Sequence, residues 1–308
     1  MRAQKRFKSL DLYDGELNTI RVCTSKIHAG TLILDRHLSS LKVRGIQAKS
    51  LLTKSKLPES DYCINPYVGC SHACVYCYSR FMRRFTGHSN EKWGTFVDVK
   101  INASQILRKD LLRNPRKGVA LVGSVTDGYQ PLEKKYRITR GILEILLDYE
   151  FPFSVLTKSD LVLRDLDLLR QCNDCSIGVT ITTLDENVRK DFEPYSTPAK
   201  QKVKALRTLH ESGIRTYVFI GPILPYLTNI RSIIASVHPY VDEVWAETLN
   251  IRCGNWMDIE TVLRNSYPIL VPTFRKTVLD REHWDRVGKE LKRITREFGK
   301  PLVGYYKH

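Results

Sequence analysis

A chain of 308 residues, 42% hydrophobic and 27% charged, is long enough to bury a large core, and it has no apolar run of about 18 residues that could cross a bilayer, so no membrane partner is expected. Its 49 Lys and Arg against 33 Asp and Glu give a formal charge of +16; a surface this basic attracts polyanions, so a large anionic partner such as DNA or RNA is set against a basic surface that only confers solubility. The basic start MRAQKRFKSLDLYDGEL lacks the apolar segment of a secretory signal, and eight cysteines thinly spread favour metal or redox use over disulfides, so the expected compartment is cytoplasmic.

Residues 1–57 show no regular alternation and carry 12 Lys or Arg against 4 Asp or Glu, which reads as a basic N-terminal extension. Over 58–260, short β-rich runs alternate with longer helical patterns, the signature of parallel strands joined by right-handed crossovers. YCINPY (62–67) and SQILRKDLLR come first. GVALVGS (118–124) is followed by ITRGILEILLDY (138–149), where Ile138, Ile142, Leu143, Ile145 and Leu146 build one broad apolar face. FSVLT (153–157) leads to LRDLDLLRQC, and IGVTIT (177–182) to TPAKQKVKALRTLHESG, with Pro198 in its first turn and Gly213 past its end. TYVFIGP (216–222) and EVWAET (243–248) complete six strands, and 261–308 reads as a C-terminal extension with a final helix over 280–299. Six such units fit an α/β fold of incomplete (β/α)6 TIM-like barrel type with N- and C-terminal extensions better than a flat sheet. Periodicity alone does not separate the two; the motif in the first loop does.

In a parallel α/β barrel the loops at the strands' C-terminal ends carry the chemistry, and CSHACVYC (70–77) follows the first strand directly. The Cx3Cx2C spacing lets Cys70, Cys74 and Cys77 bind three irons of a 4Fe-4S cube and leaves the fourth iron without a protein ligand. The alternative is a zinc site of the same cysteines with His72 or Cys63 as fourth ligand, which asks His72 to reach back within a tight loop.

The spacing, with aromatic Tyr76 just before the third cysteine, resembles the radical S-adenosylmethionine (SAM) superfamily. The wider context INPYVGCSHACVYCYSRF, with Tyr76 and Tyr78 flanking Cys77, is similar to the branch related to spore photoproduct lyase. So are VTDGYQPLE (125–133), LTKSDLVLRDLDLL (156–169) and the run from VTITT (179–183) to Glu193 and Pro194, which together span roughly residues 60–255. The resemblance implies that the open iron chelates the amino and carboxyl groups of S-adenosyl-L-methionine. It implies that an electron, from a donor such as flavodoxin or ferredoxin, cleaves the sulfonium to a 5'-deoxyadenosyl radical that takes hydrogen from a substrate. It further implies Lys158 for the SAM carboxylate and Tyr76 against the cofactor. Thr126, Asp127 and Thr180 are candidates for hydrogen bonds to its amino, carboxyl or ribose groups, and Glu193 is a ribose candidate.

One departure from the lyase pattern matters. A cysteine on the strand matching GVALVGSV gives a hydrogen atom to the lyase's product radical, and Ser124 stands there instead; its O–H bond is too strong for that role, so a different substrate or donor is expected. Tyr76 and Tyr78 are radical-relay candidates if Tyr129 or a cysteine stands near them. Cys172 and Cys175, in QCNDCS, read as a redox or auxiliary-cluster motif that Cys23, Cys63 or Cys253 could join only through the fold. Asp165 and Asp167 read as helix-start residues, and Arg80, Arg83 and Arg84 as a solvated face or as phosphate contacts. Three functions remain: a radical SAM enzyme acting on nucleic acid, radical modification of a peptide or small metabolite, or a non-catalytic metal-stabilised nucleic-acid binding protein.

Overall fold

The computed structural model describes residues 29–113 and 116–308; Cys23 and half of the basic stretch read over 1–57 lie outside the described residues. The strands are β1 (Lys42–Ile46), β2 (Leu52–Lys54), β3 (Tyr62–Ile64), β4 (Tyr67–Val68), β5 (Phe96–Lys100), β6 (Ala120–Val122), β7 (Phe153–Thr157), β8 (Cys175–Thr180), β9 (Arg215–Ile223), β10 (Glu243–Thr248) and β11 (Leu302–Tyr306). The α-helices are α1 (Ala29–Ser40), α2 (Ala103–Arg113), α3 (Glu133–Tyr136), α4 (Ile138–Asp148), α5 (Leu166–Leu169), α6 (Glu186–Phe192), α7 (Ala199–Glu211), α8 (Ile230–Val237), α9 (Trp256–Ser266), α10 (Val271–Leu279) and α11 (Arg281–Glu297). None is long and apolar enough to cross a membrane.

The main sheet runs β11-β10-β9-β8-β7-β6-β3-β2 and stays open. Every neighbouring pair from β3 to β11 is parallel, while β2 joins β3 antiparallel. The six expected strands are therefore β3 and β6 to β10, adjacent in chain order, and they form the incomplete (β/α)6 barrel. Strands covered on both faces need apolar residues throughout; Val122, Val155, Val179, Val218, Ile220 and Val244 are all fully buried. The apolar face of α4 packs as its spacing requires, with Ile142, Leu143, Ile145 and Leu146 buried. At the end of α7, Gly213 takes the left-handed turn with φ +79.

Three local readings change. YCINPY is not one strand: it divides into β3 and β4, which belong to different sheets. Pro66 lacks an N–H for the ladder, and the Asn65 side chain turns away to donate to Ser124 Oγ at 3.0 Å and accept from Val125 N at 3.0 Å. The LRDLDLLRQC segment holds only a short 3-10 turn (Asp160–Asp165) and one-turn α5. Asp165 does not cap that helix; it is fully buried and accepts from Tyr129 Oη (3.0 Å), Arg140 Nη1 (2.9 Å) and Arg164 Nη2 (2.7 Å). β5 and β11 were not among the expected strands; β5 builds a small sheet in the order β1-β5-β4, and β11 extends the main sheet beyond β10.

Candidate active site

The cysteine loop leaves β4 through Gly69, at φ +85, where a Cβ would lie 2.5 Å from Phe96 O. It then passes Gly94 so closely that a Cβ there would sit 2.3 Å from the Ala73 Cβ. Side chains from distant elements hold its backbone. Thr126 Oγ1 donates to Gly69 O (2.6 Å), Ser71 N donates to Gln130 Oε1 (2.8 Å), and Val75 N donates to Phe192 O (2.9 Å). His37 Nε2 lies 3.0 Å from Ser71 O, its ring stacked on Tyr195 with centroids 3.6 Å apart. Arg80 is buried and does not form a solvated face: it donates to Val75 O (2.7 Å), Cys77 O (3.2 Å), Gly254 O (3.2 Å) and Asp258 Oδ2 (2.7 Å). Asn255 Nδ2 donates to Tyr76 O at 2.7 Å.

Cys70 and Cys74 are buried, Cys77 is half-buried, and none is in a disulfide. Burial pushes all three thiols above their ordinary value; Asp127 adds to this at Cys70 and Glu193 at Cys74. Ligation by thiolates here therefore needs a strong local positive charge, which a metal cluster supplies. A structural zinc site needs four converging protein donors, whereas a cube takes each thiolate on a different iron and leaves one iron open. His72 is committed elsewhere: Nδ1 lies 3.0 Å from Tyr195 O, and Nε2 lies 3.2 Å from Asp127 Oδ2 but off hydrogen-bond alignment. The buried side-chain polar atoms left without a hydrogen bond, among the described residues, are Ser71 Oγ, His72 Nε2, Trp93 Nε1 and Asn255 Oδ1. All lie on this loop or against it, since Trp93 packs with Cys70 and Cys77. Buried polar atoms are otherwise almost always paired, and their concentration here fits a bound inorganic group.

Around the loop, residues following the strands' C-terminal ends form two linked polar networks. Asp127 accepts from Tyr129 N (2.8 Å), Thr157 Oγ1 (2.7 Å) and Lys158 N (2.7 Å). Burial opposes its charge, but His72 and these donors hold its carboxyl below the ordinary value. Asp127→Asn puts an amide NH2 against a donor it cannot accept from, so a loss of about 1–3 kcal/mol in stability is expected by urea unfolding.

In the second network Glu193 is almost fully buried and accepts from Tyr76 Oη, Thr182 Oγ1 (2.7 Å), Ser196 Oγ (2.9 Å) and Lys202 Nζ (2.9 Å), with Lys158 Nζ 3.2 Å away. Burial opposes ionisation, yet Lys158 and Lys202 keep this carboxyl well below the usual carboxylate range. For Lys158 burial is outweighed by Glu193 and its value is raised; for Lys202 burial wins and its value is lowered. Lys158 also donates to Gly221 O (3.1 Å) and stands 5.5 Å from the Tyr76 ring centroid.

Tyr76, Lys158 and Glu193 are thus brought into one contact set beside Cys74, and Thr126 and Asp127 hold the loop and the β7 end. Thr180 ends β8 in a buried position. Tyr78 is partly exposed and donates to the Ser124 carbonyl, with Cys77 and Cys63 close enough to act on its phenol electrostatically. Tyr129 is not with them: its hydroxyl is bound to Asp165. Sequence reasoning missed Gln130, Thr182, Lys202, Trp93 and Asn255. Thr182 stands two residues from Thr180 in the quoted VTITT, a signal that was available; Lys202, within the helical stretch KQKVK, has the pattern of a solvated lysine.

The family model of the Radical SAM superfamily matches residues 64–233, more than half of the chain. An uncharacterized protein of Methanocaldococcus jannaschii is 36% identical over 256 residues, covering 83% of this chain and 95% of that protein. A radical SAM Nalpha-GlyT isomerase of Pseudomonas phage M6 is 21% identical over 183 residues, 59% of this chain and 36% of that protein. The solved structure of a spore photoproduct lyase mutant with bound AdoMet and dinucleoside spore photoproduct shares the fold, with a TM-score of 0.63 over 94% of this chain and 87% of that chain at 16% identity. Superfamily membership implies SAM and a 4Fe-4S cluster as cofactors. The chain belongs to the radical SAM superfamily and is a radical SAM enzyme.

Proposed function

We propose that Cys70, Cys74 and Cys77 hold a 4Fe-4S cluster, and that the enzyme uses SAM to take a hydrogen atom from a nucleic-acid substrate at the barrel mouth. The observation that carries the cluster is the gathering of unpaired buried polar atoms around three free thiols. When bound, the cluster supplies the electron that cleaves the SAM sulfonium. The chain's own groups bind and orient: Lys158 is the cation for the SAM carboxylate, Tyr76 flanks the cofactor, and Thr180 and Glu193 serve the ribose. Thr126 and Asp127 act by fixing the loops, since their hydrogen bonds run to Gly69, Thr157 and the backbone of Tyr129 and Lys158. Tyr78, whose phenol feels Cys63 electrostatically, is the radical-relay candidate. A flavodoxin or ferredoxin is the reductant class.

The nucleic-acid part rests on the 3-10 helix Tyr78–Phe85 that leaves Cys77. Tyr78, Phe81 and Phe85 are exposed at 38%, 38% and 76%, with neighbouring ring centroids 6.4 Å apart, and Arg84 is exposed beside them. Aromatic faces interleaved with positive charge are the stacking platform of single-stranded nucleic-acid binding, and the net charge of +16 supplies the long-range attraction. The lyase structure carries a dinucleoside spore photoproduct.

Anaerobic reconstitution with iron and sulfide, then dithionite and SAM, is expected to release 5'-deoxyadenosine, and Cys74→Ala to release none; wild-type protein that assembles no cluster with its thiols intact overturns the proposal. Binding of labelled single-stranded DNA and RNA should fall steeply with salt. A flat salt response, or deuterium transfer to 5'-deoxyadenosine from a peptide or metabolite instead, refutes the nucleic-acid part.

A further inference from the structure

At the opposite end of the barrel, Cys172 and Cys175 meet. Cys172 follows the last turn of α5, its N–H donating to Leu169 O at 3.3 Å, and Cys175 opens β8 opposite Phe153 of β7. The two thiols act on each other electrostatically, both are half-buried, and neither is in a disulfide. Both line a cavity of about 200 Å³ together with Arg170, Asp174 and Arg215. Five residue steps along β8 separate Cys175 from Thr180, about 16 Å of strand, so the pair cannot serve the cluster loop. Cys172 and Cys175 are the two cysteines that line this cavity.

We propose that Cys172 and Cys175 are a redox-active dithiol that exchanges with small anionic disulfides of the glutathione class. Arg170 and Arg215 bring guanidinium groups to the cavity wall beside Asp174, Arg170 also donating to Ser212 Oγ (3.0 Å) and Arg215 pairing with Glu243, so the cavity offers cations to the carboxylates of a disulfide whose sulfurs reach the two thiols from its mouth. The two thiols are not equivalent. Cys175 Sγ points its proton at Leu169 O, 4.0 Å away, and the interaction of the pair lowers the Cys172 thiol below its ordinary value while the same contact and burial raise Cys175. Cys172 is therefore the attacking thiolate. It attacks one sulfur of the disulfide, forming a mixed disulfide and expelling one glutathione thiolate, which takes up a proton. Cys175 then loses its proton and attacks the Cys172 sulfur, expelling the second. Two protein thiols are oxidised to one disulfide, and one glutathione disulfide is reduced to two thiols.

The test uses the full chain with its cluster, equilibrated anaerobically in glutathione buffers from reducing to oxidising, alkylated with N-ethylmaleimide and digested with trypsin. Cleavage after Arg170 and Arg189 leaves both cysteines on the peptide 171–189. That peptide is expected to pass in a single two-electron step from a doubly alkylated form to an unalkylated form two hydrogens lighter than the dithiol. Cys175→Ser should trap glutathione on Cys172, and Cys172→Ser should give about tenfold less adduct on Cys175. Alkylation of both cysteines at every ratio, a bond from either to another cysteine, or adducts equal in the two variants overturns the proposal. None of these readouts depends on activity.

Discussion

Replacing Glu193 with alanine is expected to cost about 3–5 kcal/mol of folding stability, because removing one member of a buried ion pair leaves its partners charged and unsolvated. Here two partners are stranded, Lys158 and Lys202, and the hydroxyls of Tyr76, Thr182 and Ser196 lose an acceptor as well. Glu193→Gln keeps the shape and part of the hydrogen bonding and should lose less. The folded carboxyl is held well below the usual carboxylate range, so its contribution is complete above the unfolded value and is lost as pH falls toward the folded one. Urea unfolding of wild type between neutral pH and about pH 3 should therefore show stability falling with acid, and the alanine variant should show a shallower fall. A variant within about 1 kcal/mol of wild type at neutral pH would mean that water already screens this network.

Gly94→Ala is expected to abolish cluster assembly while leaving the barrel folded. The new Cβ would lie 2.3 Å from the Ala73 Cβ and 2.8 Å from its Cα, at a backbone φ of +88. Ala73 is itself left-handed at φ 52 and stands immediately before Cys74, so the loop has little freedom to yield without displacing a thiol. Overpacking and strain of this kind cost about 1–3 kcal/mol each, small against a whole domain but concentrated on the ligand spacing. Iron and sulfide per chain after reconstitution, read beside the thermal midpoint, separate the two effects. Gly87→Ala is the control, since Gly87 also has positive φ (+77) but nothing within 4 Å of its Cβ position. Full iron loading of Gly94→Ala would show that the loop can move as a unit.

The barrel strands were legible because parallel strands covered on both faces are apolar runs, and α4 because its apolar residues recur at helical spacing. β11 carries a half-buried LVGYY after a long helix, and no local rule says that it returns to β10. The three-thiol loop was legible for a different reason: its cysteines lie within one short stretch and carry their spacing in the sequence. The residues that steady them do not. Arg80 looks like one of three arginines on an exposed turn, and only the arrival of Asp258, 178 positions later, makes it an internal brace. Lys202 looks solvated until Glu193 is buried against it, nine positions earlier. Asp165 looks like a helix cap until Arg140 and Arg164 close on it.

The reach of Asn255 and Asp258 back to Tyr76 and Arg80 also orders events during biosynthesis. Thiols in the first quarter of the polypeptide leave the ribosome long before the segment that roofs them, so they meet solvent or any carrier protein bare. Contacts of such sequence separation form late. Cofactor delivery and the final closure of this enzyme are thereby tied to completion of its last third.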